Sequence, residues 1–289
     1  MKIKANQKNL LTLAKIIIAV VSIWYIYYTL TSKTALINDL EGALDVIIYS
    51  FNPGFIGLVM ALVAVNWGLE ALKWQFLASK MGHIGFGAAL KGVLSGLTLG
   101  FITPHSIGDY AGRIYFLKIK DRLQAIGAVL LARISLFYIT LFYGILGAVV
   151  LFRTVKFNTA FFNPFILFIL VLLSASGLWL LVNFDLVQRF FGRFKTMKRI
   201  LSYFNVLERY TFKEYLVVFL LSLARYLVFN LQYLILLYLV GINPFDVFII
   251  VGVWLVFFTK SVFPAFNFLS DLGIREAAAL YFLGNAGAE

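Results

Sequence analysis

Residues 86–117, FGAALKGVLSGLTLGFITPHSIGDYAGRIYFL, open as an apolar segment, meet Pro104, turn polar and resume as a second short apolar piece. A helix needs about 20 apolar residues to cross the hydrocarbon, and the run 86–102 falls short. Backbone that enters a bilayer and turns back must be buried in protein or line a cavity. The stretch therefore reads as a broken or re-entrant helix. A second stretch repeats the pattern, with the apolar run 246–263 ending at Pro264 before a polar segment and another short apolar piece.

The rest of the chain supplies the setting for these two elements. At 62% hydrophobic and 13% charged, the 289 residues carry too little polar surface for a water-soluble body. The 17% aromatic content suits lipid-facing helices and interfacial belts. A soluble enzyme, a nucleic-acid-binding domain and a secreted disulfide scaffold are excluded together. Five runs are long enough to span: roughly 11–31, 54–79, 123–151, 162–183 and 214–240. The expected architecture is an all-α polytopic helical bundle, one integral membrane domain over 1–289. With no Cys and only His83 and His105, neither a thiolate site nor a multi-histidine metal centre is expected. No cofactor is expected either.

The net charge of +12 points to topology and anionic lipid rather than nucleic acid. Lys2, Lys4, Lys8 and Lys15 place the N-terminus in the cytoplasm, as do Arg189, Arg193, Lys195, Lys198, Arg199, Arg209 and Lys213 for the 184–213 segment. The 32–53 loop, with Asp39, Glu41 and Asp45, belongs outside; Arg153 and Lys156 then depart from the rule. The 184–213 stretch reads as an ordinary positive-inside loop or as a basic amphipathic element on the inner leaflet.

The two broken elements resemble each other. Asp109 and Arg113 follow Pro104, and Asp271 and Arg275 follow Pro264, each pair four residues apart and followed by a small-plus-apolar run. An odd number of spans between them would bring them in from opposite faces, as in inverted-topology transporters with halves of about 1–150 and 151–289. Charged residues inside spans cost ~2.5–3.5 kcal/mol each on insertion scales, so they normally face a polar interior. Glu70, Lys73, Arg133, Arg225 and Lys260, with the two Asp/Arg pairs and Glu276, give six cations against four acids. A site holding one phosphate would have about that surplus.

Each residue also has a plainer reading. Glu70 and Lys73 are three apart and can neutralise each other, with Lys73 snorkelling. Arg133 and Arg225 lie near cytoplasmic ends and can snorkel too. The Asp/Arg pairs can be helix-start pairs, a role compatible with anion binding at a half-helix N-terminus. Gly96, Gly100, Gly108 and Gly112 are packing glycines by default, although their crowding around Thr103-Pro104 favours a re-entrant tip. His105 and Asp109 resemble the His/Asp pair of glycerolipid acyltransferases, but with three intervening residues instead of four and no second catalytic box. No enzyme activity is expected.

Gly100-Phe-Ile-Thr-Pro104 running into Gly108-Asp-Tyr-Ala-Gly-Arg113, and Pro264 running into Ser270-Asp-Leu-Gly-Ile-Arg-Glu276, resemble the transmembrane region of bacterial lysylphosphatidylglycerol synthases, which also occurs as a stand-alone family. There the stretches commonly read Thr-Pro then Gly-Glu-x-x-Arg, and Gly-x-Gly-x-Arg-Glu. Asp109 stands here for the usual Glu, and Ser270-Asp271 where Gly-Gly is frequent. The aminoacyltransferase domain of the full synthases has no counterpart in the chain, and the sequence ends at Glu289 where relatives usually have one more span. The resemblance implies translocation of a polar lipid headgroup across the bacterial cytoplasmic membrane, the substrate being an anionic or aminoacylated phospholipid or a polyprenyl-phosphate-linked lipid. Arg113 and Arg275 would take the phosphate, Asp109 and Glu276 would orient them or pair with a cationic headgroup, Arg133, Arg225 and Lys260 would surround them or line the approach, and Asp271 would belong to the same substrate site. The competing class is a scaffold or a subunit presenting lipid to a separate transferase. Expected partners are the membrane lipid itself and a second copy or a lipid-modifying enzyme, with no nucleic acid.

Overall fold

The computed structural model describes residues 53–103, 106–117, 124–154, 164–191, 193, 201–263 and 268–284. The expected span at 11–31 lies outside them, as do Pro104, His105 and Pro264. The described residues are helical and contain no strand. Their helices are α1 (Pro53–Ala78), α2 (Phe86–Ile102), α3 (Ile107–Tyr115), α4 (Ala125–Thr154), α5 (Pro164–Val182), α6 (Phe184–Phe191), a 3₁₀ helix (Ser202–Arg209), α7 (Phe212–Leu239), α8 (Val247–Val262) and α9 (Phe268–Gly284). Three are long and apolar enough to cross a membrane: α1, α4 as far as Leu151, and α7. The fourth expected run, 162–183, forms α5 and then turns through 84° into α6 instead of ending cleanly. Large apolar side chains such as Met60, Trp67, Phe142, Leu220 and Leu231 point outward, the distribution of a body solvated by lipid.

Local signals set the ends of these helices. Pro53 stands at the first position of α1, where its missing N–H is no loss. The Glu214 carboxylate accepts the Thr211 backbone N–H at 2.8 Å, capping α7. At the other end of α7, Gly241 takes φ 85°. Ile242 N–H then reaches back to the Leu237 carbonyl and Gly241 N–H to Tyr238, both at 3.0 Å, which stops the helix by a Schellman turn. Asp246 restarts the chain as α8, its carboxylate accepting from Phe248 N–H at 2.8 Å.

The bundle is pinned at one end around the 3₁₀ helix. Tyr210 donates to the Leu77 carbonyl at 2.7 Å, and Lys80 pairs with Glu214 at 2.6 Å. These contacts place the C-terminus of α1 beside the N-terminus of α7, so the two helices run antiparallel. At the opposite end Phe55 meets Tyr238, with ring centroids 5.3 Å apart. Small residues on α4, Ala125, Ala128 and Ala132, let it approach Ala71, Trp74 and Leu77 of α1 and Val206 of the 3₁₀ helix.

Both broken elements are helical hairpins. In the first, α2 and α3 approach backbone to backbone: a Cβ on Gly112 would fall on the Gly96 backbone, and one on Gly108 on the Leu99 carbonyl. The Thr103 hydroxyl joins the two arms, donating to Leu99 O at 2.8 Å and accepting from Gly108 N–H at 2.7 Å. Ser106, at the start of α3, is the only non-glycine residue with positive φ, at 53°, among the described residues. In the second hairpin α8 packs on α9 and α4, with Gly252 against Leu283 and Gly144 of α4 against the Phe258 ring. The first hairpin springs from the pinned end, directly after α1, and the second from the far end, directly after α7. Gly108→Ala is expected to lower stability by about 1–3 kcal/mol, since its methyl meets backbone that cannot rotate away. Thermal unfolding in detergent measures this, and an unchanged midpoint would show that the hairpin arms are not held in register by this contact.

Candidate functional site

A buried charge network lies where the first hairpin meets α1, α4 and α7. Counting about 1.5 Å per helical residue from the pinned end, Glu70 and Arg133 are about 12 Å deep and Arg225 about 20 Å. Asn66, Glu70, Lys73 and Trp74 recur at helical spacing on the face of α1 that meets its neighbours, and all four are at most 2% exposed. Glu70 is the hub. Its Oε1 takes Arg113 Nη1 of α3 at 2.7 Å, and its Oε2 takes Lys73 Nζ at 2.9 Å and Arg225 Nη1 of α7 at 2.6 Å. Asp109 is the second acid: Oδ1 accepts Arg113 Nε at 2.7 Å, and Oδ2 accepts Arg133 Nε and Nη2 of α4 at 3.1 and 2.9 Å.

Around these two acids the remaining partners are backbone, hydroxyl and ring groups. Lys73 completes its three donors on Ala132 O at 3.0 Å and Ser222 Oγ at 3.2 Å. Ser222 is in turn 2.7 Å from Ser135 Oγ. Arg225 Nε donates to Asn66 Oδ1 at 2.9 Å, and its guanidinium lies over the Phe229 ring. Arg133 lies over Tyr110 and Arg113 beside Trp74. Arginine suits this work because its planar fork can serve two acids at once.

Two electrostatic features bear on what the network can do. Four cations (Lys73, Arg113, Arg133 and Arg225) face two carboxylates, a surplus of two positive charges. The buried donors Asn66 Nδ2 and Trp74 Nε1, flanking Arg225 and Arg113, have no hydrogen-bond partner among the described residues. Leaving a buried donor unpaired costs about 1–3 kcal/mol. Exposure also differs within the network: the Arg133 side chain is 34% exposed and Arg113 only 4%. An arginine uncovered at this depth belongs at a hydrated opening rather than against lipid tails.

Of the residues expected from sequence, Asp109, Arg113, Arg133 and Arg225 meet in this one network. Glu70 and Lys73, which the sequence left open between a self-neutralising pair and part of a polar interior, tie the network together, and Lys73 at 1% exposure does not snorkel. Arg275 and Glu276 do not join it but pair with each other on α9 at 2.7 Å, both partly exposed. Lys260 stands in the last turn of α8, and Asp271 lies on α9 with its side chain outside the described part. Asn66, Ser222 and Trp74 were missed. Helical spacing from Glu70 and Arg225 was the signal available for them.

The family model of the lysylphosphatidylglycerol synthase TM region matches residues 12–289. The chain belongs to that family. Neither a curated protein nor a solved structure matches it. Membership covers nearly the whole chain, the charge network and both hairpins included, and agrees with three helices long enough to span a membrane.

Proposed function

We propose that this protein is a lipid translocator of the bacterial cytoplasmic membrane, moving an anionic or aminoacylated phospholipid or a polyprenyl-phosphate-linked headgroup between leaflets, and that it is not an enzyme. The observation that carries the reading is the network's surplus of two positive charges beside two buried donors with no partner among the described residues. A phosphate ester bound there replaces its lost hydration with guanidinium hydrogen bonds. Family membership supports it, since the family is named for the membrane region of lysylphosphatidylglycerol synthases, and lysylphosphatidylglycerol is an aminoacylated phospholipid.

In this reading the pinned end faces the cytoplasm, where the basic 184–213 segment puts it. The substrate phosphate enters past Arg133, passes Arg113 and Arg225, and leaves by the second hairpin, where Arg275, Glu276, Lys260 and Asp271 form the far half of an inverted repeat. The scaffold or lipid-presenting reading is favoured by how fully Glu70 and Asp109 are satisfied within the protein. The deciding experiment is flipping of headgroup-labelled phosphatidylglycerol and phosphatidylcholine in proteoliposomes. Wild type is expected to flip the anionic lipid, and Arg133→Gln to slow it by about tenfold at matched thermal stability. Folded protein that flips no tested lipid would leave the scaffold reading standing.

A further inference from the structure

We infer that Asp109 is a resident stand-in for the substrate's phosphate, held on Arg133 in this structure and exchanged off it when the anion arrives. The inference rests on the anion-binding part of the proposed function. The two carboxylates of the network are not equivalent. Glu70 is 3% exposed and gathers cations from its own helix, α3 and α7, with no uncovered partner beyond the 12% of Arg225. Asp109 instead bridges a buried arginine of its own helix and the most exposed cation of the network, Arg133 of α4.

The geometry is that of an anion between two guanidinium groups. One oxygen lies 2.7 Å from Arg113 Nε, the other 2.9 and 3.1 Å from two nitrogens of Arg133. A phosphodiester presents two oxygens in much the same fork, so it competes for the two Arg133 donors. The seat is shaped for the carboxylate: a Cβ on Gly96 would collide with Asp109 Oδ1. Arg133 is also prepared to lose this partner, because its guanidinium lies over the Tyr110 ring, 4.9 Å from the centroid, and stays oriented. Arg113 keeps its bonds to Asp109 Oδ1 and Glu70 Oε1 in this exchange, so the carboxylate retains one guanidinium partner while Oδ2 gives up its two Arg133 donors.

The exchange reaches the hairpin. Arg133 Nη2 also donates to the Ser106 carbonyl at 3.1 Å, at the start of α3. The same guanidinium thus ties the hairpin to α4 through both Asp109 and Ser106. Substrate that takes up the Arg133 donors loosens both hydrogen-bonded ties at once and leaves the Tyr110 ring as the remaining contact, which links binding to movement of the α2–α3 hairpin.

Equilibrium binding tests this with the full chain in detergent, using inorganic phosphate and glycerophosphoglycerol as soluble probes and phosphatidylglycerol nanodiscs as the lipid. Asp109→Asn removes the competing charge and keeps the side-chain shape; Asp109→Ser is the second neutral variant should the first not fold. Neutral variants are expected to bind the probe about tenfold more tightly than wild type, and adding Arg133→Gln is expected to erase the gain. A gain for glycerophosphoglycerol and phosphatidylglycerol supports a lipid headgroup as the ligand, and a gain for inorganic phosphate alone supports a free anion. Equal or weaker binding in a neutral variant of wild-type thermal stability overturns the stand-in role. If that happens while wild type still flips lipid, the translocator reading survives; if wild type neither binds nor flips, both fall.

Discussion

Glu70→Gln is expected to destabilise the protein by about 3–5 kcal/mol, enough to abolish the folded state of a marginally stable chain. The Glu70 carboxylate is the shared counter-charge of Lys73, Arg113 and Arg225, contributed by three helices. Glutamine keeps the shape but leaves three buried cations facing one another, with only Asp109 to offset them. The loss should be largely recovered by removing charge from the other side. Glu70→Gln combined with Lys73→Met restores the balance of the hub, although Ala132 O and Ser222 Oγ then lose a donor. Unfolding of the single and double variants in mixed micelles, read as a double-mutant cycle, measures the coupling. A single variant as stable as wild type would mean that water or lipid reaches these cations and that the network is not a closed one.

The contrast between the two arginine motifs shows what was legible in the sequence. Both hairpins were readable, because Pro104 and Pro264 interrupt apolar runs too short to span, and the bilayer leaves few options for such backbone. The close packing of the first hairpin was readable as well, in the four-residue spacing of Gly96 and Gly100 and of Gly108 and Gly112. The hub was not. Glu70 and Lys73 lie three apart, and local spacing favours treating them as a pair complete in itself. The residues that make Glu70 a hub are 43 and 155 positions away, and nothing in local periodicity carries that pairing. The same limit applies to α5, whose apolar run gives a helix but not its sharp turn into α6. Arg275 shows the converse: a local motif matching that of Arg113 did not bring it into the same network.

Arg113 and Arg275 are therefore expected to separate when substituted. Arg113→Gln should lower flipping by about a hundredfold, the loss of roughly 2–3 kcal/mol of charged hydrogen bonding to a phosphate, and should lower stability too, because both buried acids lose a partner. Arg113→Lys is the sharper variant. It keeps the charge but replaces the planar fork, whose separate nitrogens hold Asp109 Oδ1 and Glu70 Oε1 at 2.7 Å, by one nitrogen, so a donor aimed at substrate in addition to both acids is lost. Its flipping should therefore stay far below wild type while its stability partly returns, a split that a purely structural role does not produce. Arg275 is 38% exposed and, among the described residues, pairs with its neighbour Glu276, so Arg275→Gln should leave the unfolding midpoint nearly unchanged, within about 0.5 kcal/mol. If the second hairpin forms the exit half of the path, that same variant should slow flipping by about tenfold. Wild-type flipping by Arg275→Gln would confine the path to the first hairpin and its three arginines, and would remove the functional argument for an inverted pair.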